Sequence, residues 1–300
     1  MKATLKRRFD RVAVLMGGPS SERDVSLRSG AAVAGALSKA GYNVTAIDVK
    51  GPPVSLPSGT EAVFIAIHGE YGEDGQLQAE LDAMGIPYCG PGAKASKASF
   101  DKLLAKGLME RSRIPTPRWA KTRRGARPPF PLPLVVKPAR QGSSIGISRV
   151  FRDSEWLPAL RAALAYGESF AEEFIHGREL TVGIVGEKAL PVVEIVAPGD
   201  WYSYDNKYTK GACRYEVPAA LDPEVEERCR SIALRTFKAL GCRGMGRIDM
   251  RLAPDGGIYV LELNTIPGFT ETSLLPKAAA AGGMGFVTLC HRILDMASSD

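Results

Sequence analysis

"RIDMRLAPDGGIYVLELNTIPG", residues 247–268, sets two carboxylates, Asp249 and Glu262, among apolar strand residues, where an uncompensated negative charge is costly. The segment reads as two alternating strands joined by Pro254-Asp255-Gly256-Gly257, whose Asp-Gly core is a strong hairpin signal. With the turn centred between Asp255 and Gly256, Asp249 faces Glu262 and Arg247 faces Asn264. Side chains alternate along a strand, so Arg247, Asp249, Glu262 and Asn264 share one face while Ile248, Leu261 and Leu263 take the other. Directly opposed carboxylates lie about 5 Å apart and repel, so something positive is expected between them. Two carboxylates and an amide oxygen are the hard oxygen ligands that Mg²⁺ accepts. The plainer reading of the same residues is a solvated edge hairpin with its charges turned to water.

Outward from the hairpin, the chain has 300 residues, which suits two or three domains of roughly 100 residues each. With 45% hydrophobic and 24% charged residues it has an ordinary soluble composition. No apolar run reaches the roughly 18 to 20 residues of a membrane span, so no membrane partner is expected. The opening "MKATLKRRFDRVAVLMGG" is basic and then apolar, but it runs into a glycine turn without a small-residue cleavage site and reads as a first strand. Five scattered cysteines with no Cys-x-x-Cys pair indicate neither a disulfide framework nor a structural zinc, and place the chain in the cytoplasm. The net charge of +6 comes from 39 basic and 33 acidic residues spread along the chain. A few lysines aimed at phosphates explain it as well as nucleic acid would, and no nucleic-acid partner is expected.

"RVAVLMGG", "YNVTAIDV" and "AVFIAIHG" are short β-branched runs that suit buried parallel strands, with the helix pattern "DVSLRSGAAVAGALSKAG" after the first and "QLQAELDAMG" after the third. Residues 1–92 therefore read as a doubly wound α/β domain with ligand loops at the strand ends. "GPGAKAS" then separates it from a helix in "SFDKLLAKGLMERSRI" that stops before "PTP". Residues 93–177 form a small α+β domain: a basic, proline-rich connector (121–133), the strand "LPLVVKP", the glycine loop "ARQGSSIGISRV", the helix "SEWLPALRAALAYG" and the strand "SFAEEFI". Residues 178–300 form a second α+β domain with antiparallel "RELTVGIVG" and "ALPVVEIV", a long polar aromatic loop (198–218), a helix from Pro223, the opening hairpin and a closing helix.

Neither a P-loop nor a Gly-x-Gly-x-x-Gly fingerprint is present, so phosphate binding would use other parts. "QGSSIG" (141–146) is a loop of backbone N–H groups and hydroxyls that follows Lys137, and nests with lysines hold polyphosphates. Taken singly, each candidate has an ordinary explanation. Lys102 suits a solvated helix face, His68 a satisfied structural histidine, and Glu22 a helix cap. Glu172 and Glu179 suit surface acids, and "WYSYDNKYTKG" suits a lid.

The order of these signals is more specific than any one of them. "GG-x-S-x-ERDVS", "HG-x-x-GEDG", "FDK", "VVKP…GSS-x-G", "EEFI-x-GRE", "DNKYT", "GRIDM" and "ELNTIPG-x-T-x-x-S" run from about Val12 to Leu275 and resemble the D-alanine–D-alanine ligase family of the ATP-grasp superfamily. The resemblance implies a three-domain ATP-grasp fold in which two α+β domains clasp ATP behind the N-terminal parallel-sheet domain. It implies that Lys102 and Lys137 contact phosphates and that the loop Ser143–Gly146, with Ser144, closes over them. Glu172, Glu173, Phe174 and Ile175 would meet adenine and Glu179 the ribose, while Asp249, Glu262 and Asn264 would hold Mg²⁺, two ions in all, with Mn²⁺ able to substitute.

The resemblance further implies a D-alanyl phosphate made from ATP and a first D-alanine, then attack by the amine of a second, giving D-alanyl-D-alanine for peptidoglycan. Arg247 and the N–H near Gly268 would steady the oxyanion. Glu22 would hold the first ammonium and be linked through Ser143 to Tyr208 on the lid, with His68 and Lys207 nearby, and Ser273 and Leu274 would meet the second carboxylate. A homodimer is implied. Two departures stand out: "KGACRY" after "NKYT" lacks an acidic residue common in relatives, and the connector is unusually proline-rich. The rival readings are a D-alanine–D-lactate ligase, which the Lys207-Tyr208 pair argues against, and a catalytically silent nucleotide-binding regulator, which the intact Arg247, Asp249, Glu262 and Asn264 argue against.

Overall fold

Three β-sheets converge on one cleft. The structure is a computed structural model that describes residues 7–200 and 213–300. The first sheet is parallel, with β1 (Arg11–Gly17) between β2 (Asn43–Val49) and β3 (Ala62–Ile65), and α1 (Arg23–Lys39) packs on β1 as the crossover to β2. Val12 to Leu15 and Ala62 to Ile65 are buried, as continuous apolar runs in a covered parallel sheet must be. α2 (Gln76–Ala83) follows the turn after β3, and Gly41 and Gly85, both at positive φ, end the two helices.

Residues 99–114, expected as one helix, are broken. α3 (Ala93–Phe100) begins inside the stretch expected to be a separator, and α4 (Lys102–Arg111) starts anew one residue later. Asp101 leaves helical geometry (φ −82°, ψ 100°) and its carboxylate accepts from the N–H groups of Leu103 and Leu104. That N-cap ends one helix and starts the next, and it aims α4 at the central sheet, where the Lys102 N–H donates to Ala139 O at 2.9 Å.

The central sheet is antiparallel, in the order β4 (Trp119–Thr122), β7 (Ser169–Glu173), β5 (Leu134–Pro138), β6 (Ser148–Val150). α5 (Asp153–Leu164) covers it through Trp156 and Leu160. The third sheet runs β11 (Arg214–Glu216), β10 (Val193–Val196), β8 (Arg178–Val185), β12 (Met245–Leu252), β13 (Ile258–Asn264), with β9 (Lys188–Ala189) on β8. α6 (Pro223–Ala239) buries Phe237 and Cys229 against Ile248, Met250 and Val260. α7 (Leu274–Ala281), not anticipated from the sequence, and α8 (Phe286–Asp295) share one apolar cluster with the first sheet, and the Phe64 and Phe269 rings meet edge to face at 5.4 Å. Among the described residues no helix is long and apolar enough to cross a membrane.

The hairpin differs from expectation in one respect. Leu252 pairs with Ile258, so the turn is centred on Asp255, yet Asp249 still pairs with Glu262 and Arg247 with Asn264. A bulge between Asp249 and Met250 absorbs the difference, leaving Leu261 without a partner. Leu261 therefore does not join the apolar face with Leu263. It turns to the same side as Glu262, into the cleft.

Gly177, between β7 and β8, has φ 127°, and a Cβ there would stand 2.1 Å from Leu252 O. Gly177→Ala should lose on the order of 2–4 kcal/mol in urea unfolding, from forced backbone movement added to strain. Gly125, at φ 74° with no atom within 4 Å of the added carbon, is the control; Gly125→Ala should lose only about 1 kcal/mol. Equal losses would contradict the assignment.

Candidate active site

The hairpin face is a charge-compensated cluster. Asp249 accepts from Arg247 Nε at 2.9 Å and Nη2 at 2.8 Å, from Thr181 Oγ1 at 2.6 Å and from Asn264 Nδ2 at 2.9 Å. β8 supplies the threonine because Asp249 pairs with Thr181 on that side. Lys102 Nζ stands 3.3 Å from Glu262 Oε2 and donates to Gln141 O at 2.8 Å. It is nearly buried and does not occupy a solvated helix face. The positive charge that the opposed carboxylates require thus comes from a guanidinium on one side and an ammonium on the other. With its nitrogen committed to Asp249, Asn264 has its amide oxygen left for a cation; that oxygen and Glu262 are hard donors that suit a divalent ion, and Asp249, whose oxygens already accept four donors, would join them by releasing one.

Behind this face lies a buried ion triad. Lys106 Nζ is 2.6 Å from Glu172 Oε2 and Lys137 Nζ is 2.5 Å from Glu172 Oε1, with Lys106 and Glu172 each 1% exposed. Burial opposes the charge on Glu172, but the two ammonium groups outweigh it and hold its pKa below the usual carboxylate range. Burial likewise opposes the charge on Lys137, yet Glu172 and Glu262 raise its pKa, whereas at Lys106 burial prevails and the pKa falls. Lys106 also donates to Thr116 Oγ1 at 2.6 Å, which donates to Val260 O at 2.8 Å, so the triad ties the central sheet to β13.

A small cavity of about 60 Å³ opens here, lined among others by Lys137, Ser144, Glu172, Glu173, Phe174, Ile175, Glu179, Leu261 and Glu262. Arg251, buried on β12, holds Glu179 at 2.9 Å and donates to Gly177 O. Glu173 turns outward to Arg118 at 2.6 Å. The Phe174 ring stands edge-on to Phe151 and His176.

A larger cavity of about 520 Å³ adjoins it and gathers Glu22, His68, Ser143, Arg247, Gly268, Ser273 and Leu274. Glu22 occupies the N-cap position of α1, but its side chain caps nothing and instead accepts from Ser143 Oγ. Ser143 and Ser144 both adopt left-handed φ, 48° and 60°, which side-chain-bearing residues rarely do outside functional loops. His68 is buried with both ring nitrogens engaged, Nδ1 with Ile266 O at 2.9 Å and Nε2 with Ser29 Oγ at 3.0 Å. A carbonyl only accepts, so Nδ1 carries the proton. Burial lowers the His68 pKa and keeps the ring neutral.

Several residues of the cleft were not singled out from the sequence. Glu73 accepts from Gly69 N at 2.8 Å, and burial, then the charge of Glu22, raises its pKa to about 8. Its signal was the acid in "HG-x-x-GEDG". Lys106 lies one helical turn after Lys102, a spacing that puts both on one face. Arg251 and Leu261 had no local signal, since the bulge decides the side on which Leu261 falls. Lys207 and Tyr208 lie outside the described residues.

Comparison with known proteins matches residues 51–91 to the model described as "D-ala D-ala ligase N-terminus" and residues 114–295 to "D-ala D-ala ligase C-terminus". A D-alanine–D-alanine ligase of Methylacidiphilum infernorum is 47% identical over 95% of this chain and 94% of its own. The crystal structure of a D-alanine–D-alanine ligase from Bacillus anthracis is 33% identical, with a TM-score of 0.84 over 96% of this chain and 97% of that one. A D-Ala:D-Ser ligase from Enterococcus faecalis is 28% identical at the same TM-score, over 96% of this chain and 99% of that one.

Because the raised pKa of Glu73 means that the folded state binds the extra proton, it contributes stability below about pH 4.5 that is lost as pH rises to about 8. Glu73→Gln should flatten that decline, gaining on the order of a few kcal/mol relative to the parent between pH 5 and pH 8. Thermal melts across that range check it, and parallel curves would refute the assignment.

Proposed function

The chain belongs to the D-alanine–D-alanine ligase family, and we propose that it joins two D-alanine molecules into D-alanyl-D-alanine with ATP, through a D-alanyl phosphate, for peptidoglycan synthesis. The observation that carries this reading is Glu262. It lines both cavities, the small one between the two antiparallel sheets and the large one beside the first sheet, so whatever group passes between them passes its carboxylate. Such a wall suits phosphoryl transfer from a nucleotide on one side to an amino-acid carboxylate on the other.

On this reading the small cavity is the nucleotide side, with Glu172, Glu173, Phe174 and Ile175 toward adenine, Glu179 toward ribose, and Lys137 and Ser144 toward phosphates, while Lys102 and Ser143, which line the large cavity, and Lys207 complete the phosphate contacts. Asp249, Glu262 and Asn264 would hold Mg²⁺, two ions, with Mn²⁺ in their place where available; bound there, the metal supplies neutralisation of phosphate charge. Glu22 holds the first D-alanine's ammonium beside His68. The carboxylate oxygen of that D-alanine attacks the γ-phosphorus and ADP leaves. The second D-alanine, its carboxylate at Ser273 and Leu274, loses its ammonium proton and attacks the activated carbonyl. Arg247 and the Gly268 N–H stabilise the oxyanion until phosphate departs, and Tyr208 completes the catalytic set with Ser143 and Glu22. We further propose the domain division 1–92, 93–177 and 178–300, a homodimer and a cytoplasmic location.

Glu262→Gln should abolish D-alanine-dependent phosphate release while melting within a few degrees of the parent, and normal release would sink the metal assignment. Arg247→Ala should lose on the order of 10²-fold in turnover with a smaller effect on ATP binding, as for removal of a preorganised donor. A loss confined to ATP affinity would count against the oxyanion role.

A further inference from the structure

We infer that Lys277 and Arg28 form a cationic wall that selects the second amino acid by its carboxylate and favours its reactive, amine-neutral form; this rests on the ligase reading above. Both side chains line the 520 Å³ cavity that holds Glu22, Arg247 and Ser273. Lys277 lies one turn beyond Ser273 on α7, its N–H donating to Ser273 O at 3.0 Å, so the two share a helix face. Arg28 precedes Ser29, whose hydroxyl accepts from Phe269 N at 3.1 Å, which brings α1 against the same loop. The two cations therefore line the cavity beside the segment 268–273 from different elements, α1 and α7.

Their charge state sets them apart from the other cations of the cavity. Arg247 is forked on Asp249 and Lys102 faces Glu262. Among the described residues, Lys277 and Arg28 meet no carboxylate, and the contact of the Lys277 ammonium is the Tyr215 ring, 4.5 Å from its centroid. Two positive charges lining a concave site, Lys277 half-buried and Arg28 exposed, attract an anion and disfavour a neighbouring cation. A free D-amino acid is a zwitterion with no net charge, whereas the form that attacks, a neutral amine with its carboxylate, carries −1. The wall thus stabilises the attacking form relative to the resting one, binding the carboxylate and lowering the pKa of the ammonium together.

The test is steady-state phosphate release with ATP and D-alanine for the parent chain, Lys277→Met, Lys277→Arg and Arg28→Gln. Methionine keeps an apolar stem over Tyr215 and removes only the charge. Lys277→Met should lower kcat/KM for the second D-alanine on the order of five-fold, as for one partly exposed charge pair, and leave KM for ATP and for the first D-alanine as they were. Its pH–rate profile should move to higher pH, Lys277→Arg should behave as the parent, and Arg28→Gln should act as Lys277→Met. The difference between parent and Lys277→Met should vanish in about 1 M tetramethylammonium chloride, where the screening length is roughly 3 Å. Equal acceptor kcat/KM in parent and Lys277→Met with turnover intact would overturn the inference alone, as would a loss in Lys277→Arg matching that in Lys277→Met. Absence of D-alanine-dependent release by the parent would overturn both it and the ligase reading.

Discussion

Two carboxylates facing each other across a hairpin repel unless positive charge is brought to them, and the cleft is organised around meeting that demand at Asp249 and Glu262. Arg247 comes from the same strand as Asp249, two residues away, but Lys102 must be delivered from another part of the chain. Its delivery depends on the Asp101 cap, which stops α3 and redirects α4, and on the bond from Lys102 N–H to Ala139 O that anchors the start of α4 to the central sheet. The placement of one ammonium thus settles how two sheets approach each other.

The same logic repeats one layer deeper, where Glu172 is pinned between Lys106 and Lys137. Breaking one arm of such a buried pair leaves an uncompensated charge and costs roughly 3–5 kcal/mol, so the arrangement resists partial disassembly. Lys106 belongs to α4, as Lys102 does, and through Thr116 it reaches the backbone of β13. One helix therefore compensates carboxylates on both antiparallel sheets. The neutral His68, hydrogen-bonded at both ring nitrogens, plays a different part: it joins the first sheet's loop to Ile266 and to α1 beside the large cavity.

Charge is distributed unevenly around that larger cavity. Glu22 lies near the Gly69 turn beside Glu73, whose raised pKa keeps it mostly protonated at neutral pH, whereas Lys277 and Arg28 line the cavity from α7 and α1. An amino acid carries its two charges a few bonds apart, and a site with a carboxylate and cations on different elements orients it before any reaction. The left-handed serines at 143 and 144 add a second constraint, since the hydroxyl that reaches Glu22 is presented by a backbone conformation the loop must be held in.

Much of this was legible in the residues alone. Alternation and the Asp-Gly turn gave the register of Asp249 against Glu262, the apolar runs gave the parallel sheet, and the order of eight short motifs gave the family. What the sequence could not settle were matters of distance between segments. The bulge that turns Leu261 into the cleft depends on where β12 and β13 are pulled by their other neighbours, and the break at Asp101 competes with a helix pattern that continues across it. Lys106, Arg251 and Glu73 do not stand out in the residues alone, because burial and partner are properties of the folded chain. Local spacing determines which side chains share a face; only tertiary packing decides what that face meets, because a charge acquires its partner, its exposure and its shifted pKa from residues tens to hundreds of positions away.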